Sequence, residues 1–360
     1  MSLAQHHEQY VMLKSGDRFC YAEHGVGNTD TIVLIVGLGL QLVYWPNALI
    51  ERLVSSGFRV ICFDNRDAGR SVRSGTPHPS LLQQLRGRSP KGAYGLERMA
   101  EDTAQLLEAL NISSAHIAGM SMGGMIAQTL ASLHPEKVIS MTSIFSTTGN
   151  RRVGQPSYST LWRMARAKAP MNEKDAVKNY QAMMTHIGDV AANGAVNQWH
   201  QYARLAWQRN GGKSDAKAMF RQIGAIMKSG DRTPMLQNVK APTLVIHGDV
   251  DHMVHPSGGV ATARAISGAK HQILPAFKNK KKSRKSYEFV GPICETTDKF
   301  LSVSNFNKLK ERDLIFISDV GAYGSSLSSN YNIRPKPSEI LINKSKITIL
   351  KKRQKLEDII

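Results

Sequence analysis

The sequence predicts an α/β protein: a doubly wound, mostly parallel sheet with a helical cap and a short β-rich C-terminal extension. Apolar runs of strand length alternate with stretches of helical periodicity through residues 1–150. Strand signals are absent from residues 151–235 and resume at Thr243. After residue 276 a basic run precedes further short β signals. Strands that alternate with helices favour a parallel sheet covered on both faces.

The elements of the predicted sheet follow one another along the chain, and each rests on its own hydrophobic pattern. Short apolar runs predict strands at Thr31–Val36, Arg59–Phe63, Ala115–Ala118, Val138–Phe145, Thr243–His247 and His271–Leu274. Apolar residues at helical spacing predict helices over Trp45–Ser55, Leu96–Leu110 and Met125–Leu130.

The middle of the chain has a different composition, rich in Met, Ala, Gln, Trp and charged residues. This predicts several amphipathic helices inserted between sheet strands, which could form the roof of a pocket above the carboxyl edge of the sheet. The predicted organisation is therefore a core over residues 1–150, a cap over 151–235, the last core strands over 236–275, a basic linker over 276–286 and a tail over 287–360.

The net charge of +19 does not by itself indicate a nucleic-acid partner. Its densest cluster, between Lys278 and Lys285, has no interleaved aromatic residues and no glycine pattern, so a solvated linker explains it better. Beyond this linker, short β signals predict strands at Tyr287–Ile293, Asp313–Ser318, Glu339–Ile342 and Lys346–Leu350.

Several classes of protein are disfavoured by composition. Cys20, Cys62 and Cys294 are far apart and odd in number, which argues against a disulfide framework and for a reducing compartment. The first residues are polar, unlike a signal peptide, and no apolar run approaches membrane-spanning length. Metal-ligand spacings such as C-x-x-C and H-E-x-x-H are absent. We therefore expect a cytoplasmic protein with no membrane partner, no nucleic-acid partner, no metal and no cofactor.

The run Gly119-Met120-Ser121-Met122-Gly123 is a G-x-S-x-G motif between a predicted strand and a predicted helix. In that setting the motif forms a nucleophile elbow, a strained turn that needs small residues on both sides of the serine. The turn would project the Ser121 hydroxyl above the sheet, near a helix N-terminus that favours developing negative charge. Ser121 is thus the candidate nucleophile.

Four runs, in the expected order and at the expected separations, make residues 1–275 resemble the α/β-hydrolase superfamily, specifically its capped esterase-like members near the aclacinomycin methylesterases. They are Gly37-Leu38-Gly39 with Trp45-Pro46, Asp64-Asn65-Arg66-Asp67-Ala68-Gly69-Arg70-Ser71, Gly119-Met120-Ser121-Met122-Gly123-Gly124, and His247-Gly248-Asp249-Val250-Asp251-His252-Met253-Val254-His255-Pro256-Ser257-Gly258-Gly259. The resemblance implies acyl transfer through Ser121, with an oxyanion hole formed by the backbone N–H groups of Met122 and Leu38.

The acid of the implied triad should follow a late strand, where Asp249 and Asp251 both stand. The family pattern Gly-x-x-Asp-x-x-x-x-Pro selects Asp251, and Asp249 is then interpreted as a turn residue. Asp64 and Asp67 also end a strand, but they precede the nucleophile, and the chain order Ser, Asp, His argues against them.

The triad histidine is missing from its expected place. It should follow the last strand near residues 276–280, where the chain reads Ala-Phe-Lys-Asn-Lys, and no histidine occurs after His271. His252 and His255 lie beside the acid and are the candidate substitutes. His271 is interpreted as a strand residue, and His24 and His247 are interpreted as structural.

Residues from about 287 to 360 resemble the C-terminal part of diaminopimelate decarboxylase, a pyridoxal-phosphate enzyme. The resemblance rests on the runs Val290–Asp298, Ser318–Gly324, Ser328–Asn332 and Arg334–Pro337. It implies an inter-subunit role for Cys294 and Glu295 and a cofactor contact for Tyr323. The β/α barrel that carries the Schiff-base lysine is absent, so we interpret the chain as a chimera without a cofactor. The tail could join subunits into a homo-oligomer.

These observations lead to two hypotheses. The first is a serine carboxylesterase that hydrolyses small to medium acyl esters through an acyl-enzyme on Ser121, with Asp251 orienting whatever base is available. The second is a catalytically impaired hydrolase-fold module that binds or oligomerises, which the missing histidine favours. Decarboxylation ranks last, because the residues that would hold the cofactor are not in this chain.

Overall fold

A computed structural model describes residues 7–188, 195–274, 285–290, 299–306, 339–343, 346–355 and 357. These residues belong to two compact units, Met1–Lys278 and Asn279–Ile360. None of the helices in the described ranges is long and apolar enough to cross a membrane.

The first unit contains an eight-stranded sheet with the order β1-β2-β4-β3-β5-β6-β7-β8. Its strands are β1 (Glu8–Met12), β2 (Arg18–His24), β3 (Asp30–Ile35), β4 (Phe58–Phe63), β5 (Ala115–Met120), β6 (Val138–Ile144), β7 (Thr243–Gly248) and β8 (Lys270–Leu274). β3 to β8 pair in parallel, whereas β1 and β2 are antiparallel to their neighbours. The α/β class and the six strands from β3 to β8 agree with the sequence prediction.

β1 and β2 were not predicted from the sequence. β1 carries polar residues and is largely exposed, so its pattern does not separate it from a loop. The turn Lys14-Ser15-Gly16-Asp17 between the two strands is the local signal that could have identified this hairpin. Gly16 has a φ of 80°, a conformation that glycine adopts without strain.

Helices cover both faces of the sheet, as parallel strands require. They are α1 (Asn47–Ser55), α3 (Leu96–Ala109), α4 (Met122–Leu133) and α10 (Ser257–Ala265). The short α2 (Leu81–Leu85) has its first two leucines exposed. α3 and α4 contribute to one buried apolar cluster, and α1 contributes to a second. In α3 the buried positions Leu96, Ala100, Thr103 and Leu107 recur at four- and three-residue intervals, so one stripe of the helix packs on the core.

Between β6 and β7 the described chain is helical. The helices are α5 (Tyr158–Arg166), α6 (Glu173–Ile187), α7 (Ala195–Arg209), α8 (Ala216–Ser229) and α9 (Thr233–Leu236). The chain leaves the sheet at the end of β6 and returns to it at β7. The composition of the sequence changes near the same two points. We call α5–α8 the cap helices.

The second unit contains two antiparallel hairpins in its described parts. They consist of β9 (Lys285–Val290) with β10 (Lys299–Phe306), and of β11 (Glu339–Asn343) with β12 (Lys346–Lys351). β9, β11 and β12 overlap strands predicted from the sequence, whereas β10 was not predicted. The predicted strand Asp313–Ser318 and the residues Cys294, Glu295 and Tyr323 lie outside the described residues.

Candidate active site

Ser121 occupies the turn between β5 and α4. Its backbone has φ 52° and ψ −119°, a strained conformation for a residue with a side chain. Its amide donates to the Ile144 carbonyl at 2.9 Å, and the Ser146 hydroxyl donates to its carbonyl at 2.7 Å. These two bonds from β6 and the loop after it hold the turn, and the side chain of Ser121 stays partly exposed.

The glycines around Ser121 are required by close backbone contacts. A Cβ on Gly119 would overlap the Gly123 carbonyl, and a Cβ on Gly123 would overlap the Ile35 carbonyl at the end of β3. A Cβ on Gly124 would stand 2.6 Å from the Cβ of Ser146. Glycines are therefore required at these positions because the first turn of α4 packs directly against the backbone of the sheet.

The two predicted oxyanion donors belong to the residue after Ser121 and to the loop after β3. Met122 is the first residue of α4, where the N–H groups of a helix have no partner within the helix. Leu38 follows Gly37, whose Cβ, if it had one, would be 3.3 Å from the Cβ of Ser121. Among the described residues, neither the Leu38 nor the Met122 amide has a hydrogen-bond acceptor. Both N–H groups are thus unpaired, one next to Ser121 in the chain and one next to Gly37.

Asp251 lies in the loop after β7, at the same edge of the sheet as the Ser121 turn. Its Oδ1 accepts from the amides of Met253 and Val254 at 2.8 and 2.9 Å, which fixes the carboxylate in the loop. Asp249 is exposed, and its amide donates to the Leu274 carbonyl, as expected of a residue that shapes the turn. The structure therefore fixes the Asp251 carboxylate by two backbone amides of its own loop.

The two candidate bases are held by other contacts. The His252 ring stacks on the His186 ring of α6, with centroids 5.5 Å apart. His255 places Nδ1 2.9 Å from the Ser257 hydroxyl. Neither ring is within 4 Å of the Asp251 carboxylate, and neither is hydrogen-bonded to Ser121. The described structure does not assemble a serine–histidine–aspartate array from these residues.

His247, which we interpreted as structural, is the histidine closest to the acid. It is fully buried, with Nε2 2.7 Å from the Val254 carbonyl and 3.6 Å from Asp251 Oδ2. Its Nδ1 has no hydrogen-bond partner and lies against Gly259. Because the ring is enclosed beneath the loop that carries Asp251, it supports that loop and is not open to a substrate.

Asp64 and Asp67 are buried and belong to ion pairs rather than to the site. Asp64 accepts from the amides of Leu42 and Arg70 and pairs with Arg209 of α7 at 2.8 Å. Asp67 pairs with Arg221 of α8 at 2.7 Å and accepts from the Tyr94 hydroxyl. Burial, together with the charge of Asp67, raises the pKa of Tyr94 above its usual value. Both carboxylates are therefore engaged in contacts with the cap helices.

A family model described as "alpha/beta hydrolase fold" matches residues 30–277, more than half of the chain. The chain belongs to the α/β-hydrolase family. A hydrolase from Pseudomonas aeruginosa superposes with a TM-score of 0.55 at 22% identity, over 75% of this chain and 91% of that one. An enol-lactonase from Burkholderia xenovorans gives 0.54 at 24% identity, over 74% and 91%. At such identities the two structures show the fold alone.

Curated relatives match shorter segments. Rhodomycin D methylesterase DnrP of Streptomyces peucetius is 36% identical over 112 residues, which are 31% of this chain and 33% of that protein. The diaminopimelate decarboxylase of Helicobacter pylori is 42% identical over 91 residues, 25% of this chain and 22% of that enzyme. The chain thus spans a third or less of either relative.

A second family model, the C-terminal sheet domain of pyridoxal-dependent decarboxylases, matches residues 235–321. It overlaps the hydrolase match over residues 235–277. The similarity of the C-terminal part to decarboxylases, expected from the sequence, is therefore confirmed. The overlap contains the stretch Lys270–Pro275, where the sequence suits both families.

Proposed function

We propose that the protein is a serine carboxylesterase for small to medium acyl esters. The observation that carries this proposal is the backbone of Ser121, strained to φ 52° between two unpaired amides, Leu38 and Met122. Strain of this kind persists where the surrounding structure enforces it, and it presents the hydroxyl for attack. The name of the methylesterase relative supports an ester as the substrate.

The reaction would proceed by acyl transfer. Ser121 Oγ attacks the ester carbonyl and passes its proton to a base, and the carbonyl oxygen becomes an oxyanion. The Leu38 and Met122 N–H groups stabilise that charge, an effect worth about 3–4 kcal/mol per donor. The C–O bond to the alcohol then breaks as the alcohol takes up a proton. Water attacks the acyl-enzyme, which releases the acid and restores the Ser121 hydroxyl.

This mechanism needs a base that accepts the Ser121 proton, and none of the described histidines is hydrogen-bonded to Ser121. No histidine follows His271 in the chain, and His252 and His255 are engaged with His186 and Ser257. Either ring would have to leave these contacts before it could accept the Ser121 proton. We therefore propose low turnover, since loss of one triad member removes several orders of magnitude in rate.

The same observation favours a second function, a hydrolase-fold module that binds or oligomerises without significant catalysis. In that case the residues around Ser121 would bind an ester or carboxylate without turning it over, and the tail would join copies of the chain. No step through pyridoxal phosphate is proposed for either function. The described residues of the first unit form the hydrolase sheet, and the described residues contain no β/α barrel to carry the cofactor lysine.

The test is hydrolysis of p-nitrophenyl acetate and butyrate by the wild type and by Ser121→Ala, His252→Ala and His255→Ala. Ser113→Ala, at an exposed serine, and His271→Ala, at an exposed strand position, are the matched controls. If Ser121→Ala abolishes turnover and the controls do not, the esterase stands, and the histidine variant that also loses activity identifies the base. Equal, slow rates in the wild type and Ser121→Ala would rule out the esterase and favour the binding module.

A further inference from the structure

The loop after β3, residues 37–42, carries the predicted oxyanion donor Leu38, and we call it the oxyanion loop. Most of its hydrogen bonds end on the cap helices. The Gly39 amide donates to Gln222 Oε1 of α8 at 2.8 Å. The Gln41 amide donates to the Tyr202 hydroxyl of α7 at 3.2 Å, and the Gln41 side chain donates to the Ala206 carbonyl at 2.9 Å. Residues far away in the sequence therefore hold this loop.

Gln222 makes the contact nearest to Leu38. Its side chain is fully buried, and its Nε2 donates to the Arg66 carbonyl at 2.8 Å while its Oε1 receives the Gly39 amide. The amide group thus bridges the oxyanion loop and the loop after β4. Met219, one turn earlier in α8, lies against Gly39, which has a φ of 67°. Gln222 and Met219 of α8 therefore both contact the oxyanion loop at Gly39.

Two buried ion pairs hold the cap helices in this position. Arg209 at the end of α7 pairs with Asp64, and Arg221 next to Gln222 pairs with Asp67. Asp64 in turn accepts the Leu42 amide at 2.7 Å, so the far end of the oxyanion loop is also linked to Arg209. Buried pairs of this kind are costly to break, because each leaves an uncompensated charge.

We infer that Gln222 is a positioning residue that sets the Leu38 N–H from the cap, so that docking of α8 and formation of the oxyanion hole are a single event. This inference rests on the proposed function for its catalytic consequence. Gln222 does not touch the substrate carbonyl. It acts through the Gly39 amide. That amide belongs to the peptide group that directly follows Leu38, so holding it in place also restricts the direction of the Leu38 N–H. If α8 separates from the sheet, the hole loses its geometry.

The test compares Gln222→Met, which removes both hydrogen bonds at similar volume, with Gln222→Glu. Burial favours the neutral carboxyl of Gln222→Glu, which can accept the Gly39 amide and donate to the Arg66 carbonyl. Gln201→Met, at an exposed position of α7, is the matched control. We expect Gln222→Met to lower kcat for p-nitrophenyl acetate about tenfold or more, with KM changed less than about twofold, since a donor is displaced rather than removed. Gln222→Glu should recover much of the lost kcat, and Gln201→Met should match the wild type.

Amide hydrogen exchange of residues 37–42 in the same variants gives a readout that does not need catalysis. We expect faster exchange of this loop in Gln222→Met, without faster exchange in β5 or α4. An unchanged kcat in Gln222→Met, or equal losses in Gln222→Met and Gln222→Glu, would overturn the inference. If the wild type turns over no ester, the proposed function fails, and exchange alone decides: faster loop exchange supports the positioning role, and unchanged exchange removes it.

Discussion

At the scale of single residues, the site depends on backbone positions that tolerate no side chain. Gly119 and Gly123 allow α4 to begin directly against β3 and β5, and Ser121 is held at a positive φ between them. The sequence motif predicts this geometry because each requirement is local to the turn. Gln222 had no such signal, since a glutamine within a helix of mixed composition is indistinguishable from a surface residue until the loop that it contacts is known.

Gly123→Ala should unfold or severely destabilise the protein. Its Cβ would overlap the Ile35 carbonyl, which is backbone and cannot move aside, so we expect a loss of at least about 3 kcal/mol in the free energy of unfolding. Gly248→Ala is the control, because a Cβ there meets no atom within 4 Å. Urea denaturation measures both variants, and similar stabilities would contradict this account of the turn.

At the scale of elements, the cap helices are attached to the sheet by buried charge. Sequence periodicity predicts helices in this region, but it does not indicate which charged residues turn inward. Arg209 and Arg221 are the last residue of α7 and a central residue of α8, and each finds a buried aspartate in the loop after β4. Only the packing of those helices on the sheet brings the partners together.

Arg209→Met should be strongly destabilising. The side chains of Arg209 and Asp64 are 2% and 0% exposed, so removal of the arginine leaves a buried carboxylate and costs about 3–5 kcal/mol. Arg204→Met in the same helix is the control, because Arg204 is 62% exposed and its pair with Glu173 is worth about 1 kcal/mol or less. Chemical denaturation of the two variants checks this, and equal losses would show that the Asp64 pair is not the anchor.

Glu108 at the end of α3 gives a prediction about pH. Hydrogen bonds from Lys14 and Lys137 lower the pKa of Glu108 to about 2. Because the folded-state pKa lies below the unfolded value, the stabilisation is complete above about pH 4.5 and is lost as the pH falls towards 2. The exposed surroundings limit it to about 1 kcal/mol or less.

The measurement for Glu108 is the difference in unfolding free energy between the wild type and Glu108→Gln across this pH range. The difference should shrink as the pH falls, and it should also shrink with added salt. Glu51→Gln, at an exposed position of α1, is the matched control. A constant difference for Glu108→Gln would mean that the lysine contacts do not form in solution.

At the scale of the whole molecule, the chain combines matches to two families, with the hydrolase match at residues 30–277 and the decarboxylase match at residues 235–321. β8 is the last strand of the sheet in the described residues, and all five of its residues are exposed. Ile273 and Leu274 are 47% and 46% exposed. An exposed edge strand with apolar side chains is a surface on which strands of another copy can pair.

We expect the chain to self-associate, and we expect Ile273→Lys to weaken that association, because a charge on an edge strand opposes edge-to-edge pairing. Lys270→Arg, which keeps the charge at another β8 position, should leave it unchanged. Sedimentation velocity over a range of concentrations measures the effect. A monomer at every concentration would refute this expectation and would weaken the proposal of an oligomerising module.

The sequence by itself determined the α/β class, the strands β3–β8, the elbow at Ser121 and the two family resemblances. These features depend on local periodicity and on motifs whose requirements are satisfied within a few residues. The tertiary structure decided which polar groups meet: Gln222 with Gly39, Arg209 with Asp64, His252 with His186. It also decided that β1 and β2 form a hairpin on the sheet. Such pairings join residues that are distant in the chain. They form because folding buries both polar groups together, so each needs the other as a hydrogen-bond or ion-pair partner, and a local sequence pattern does not indicate which partner that is.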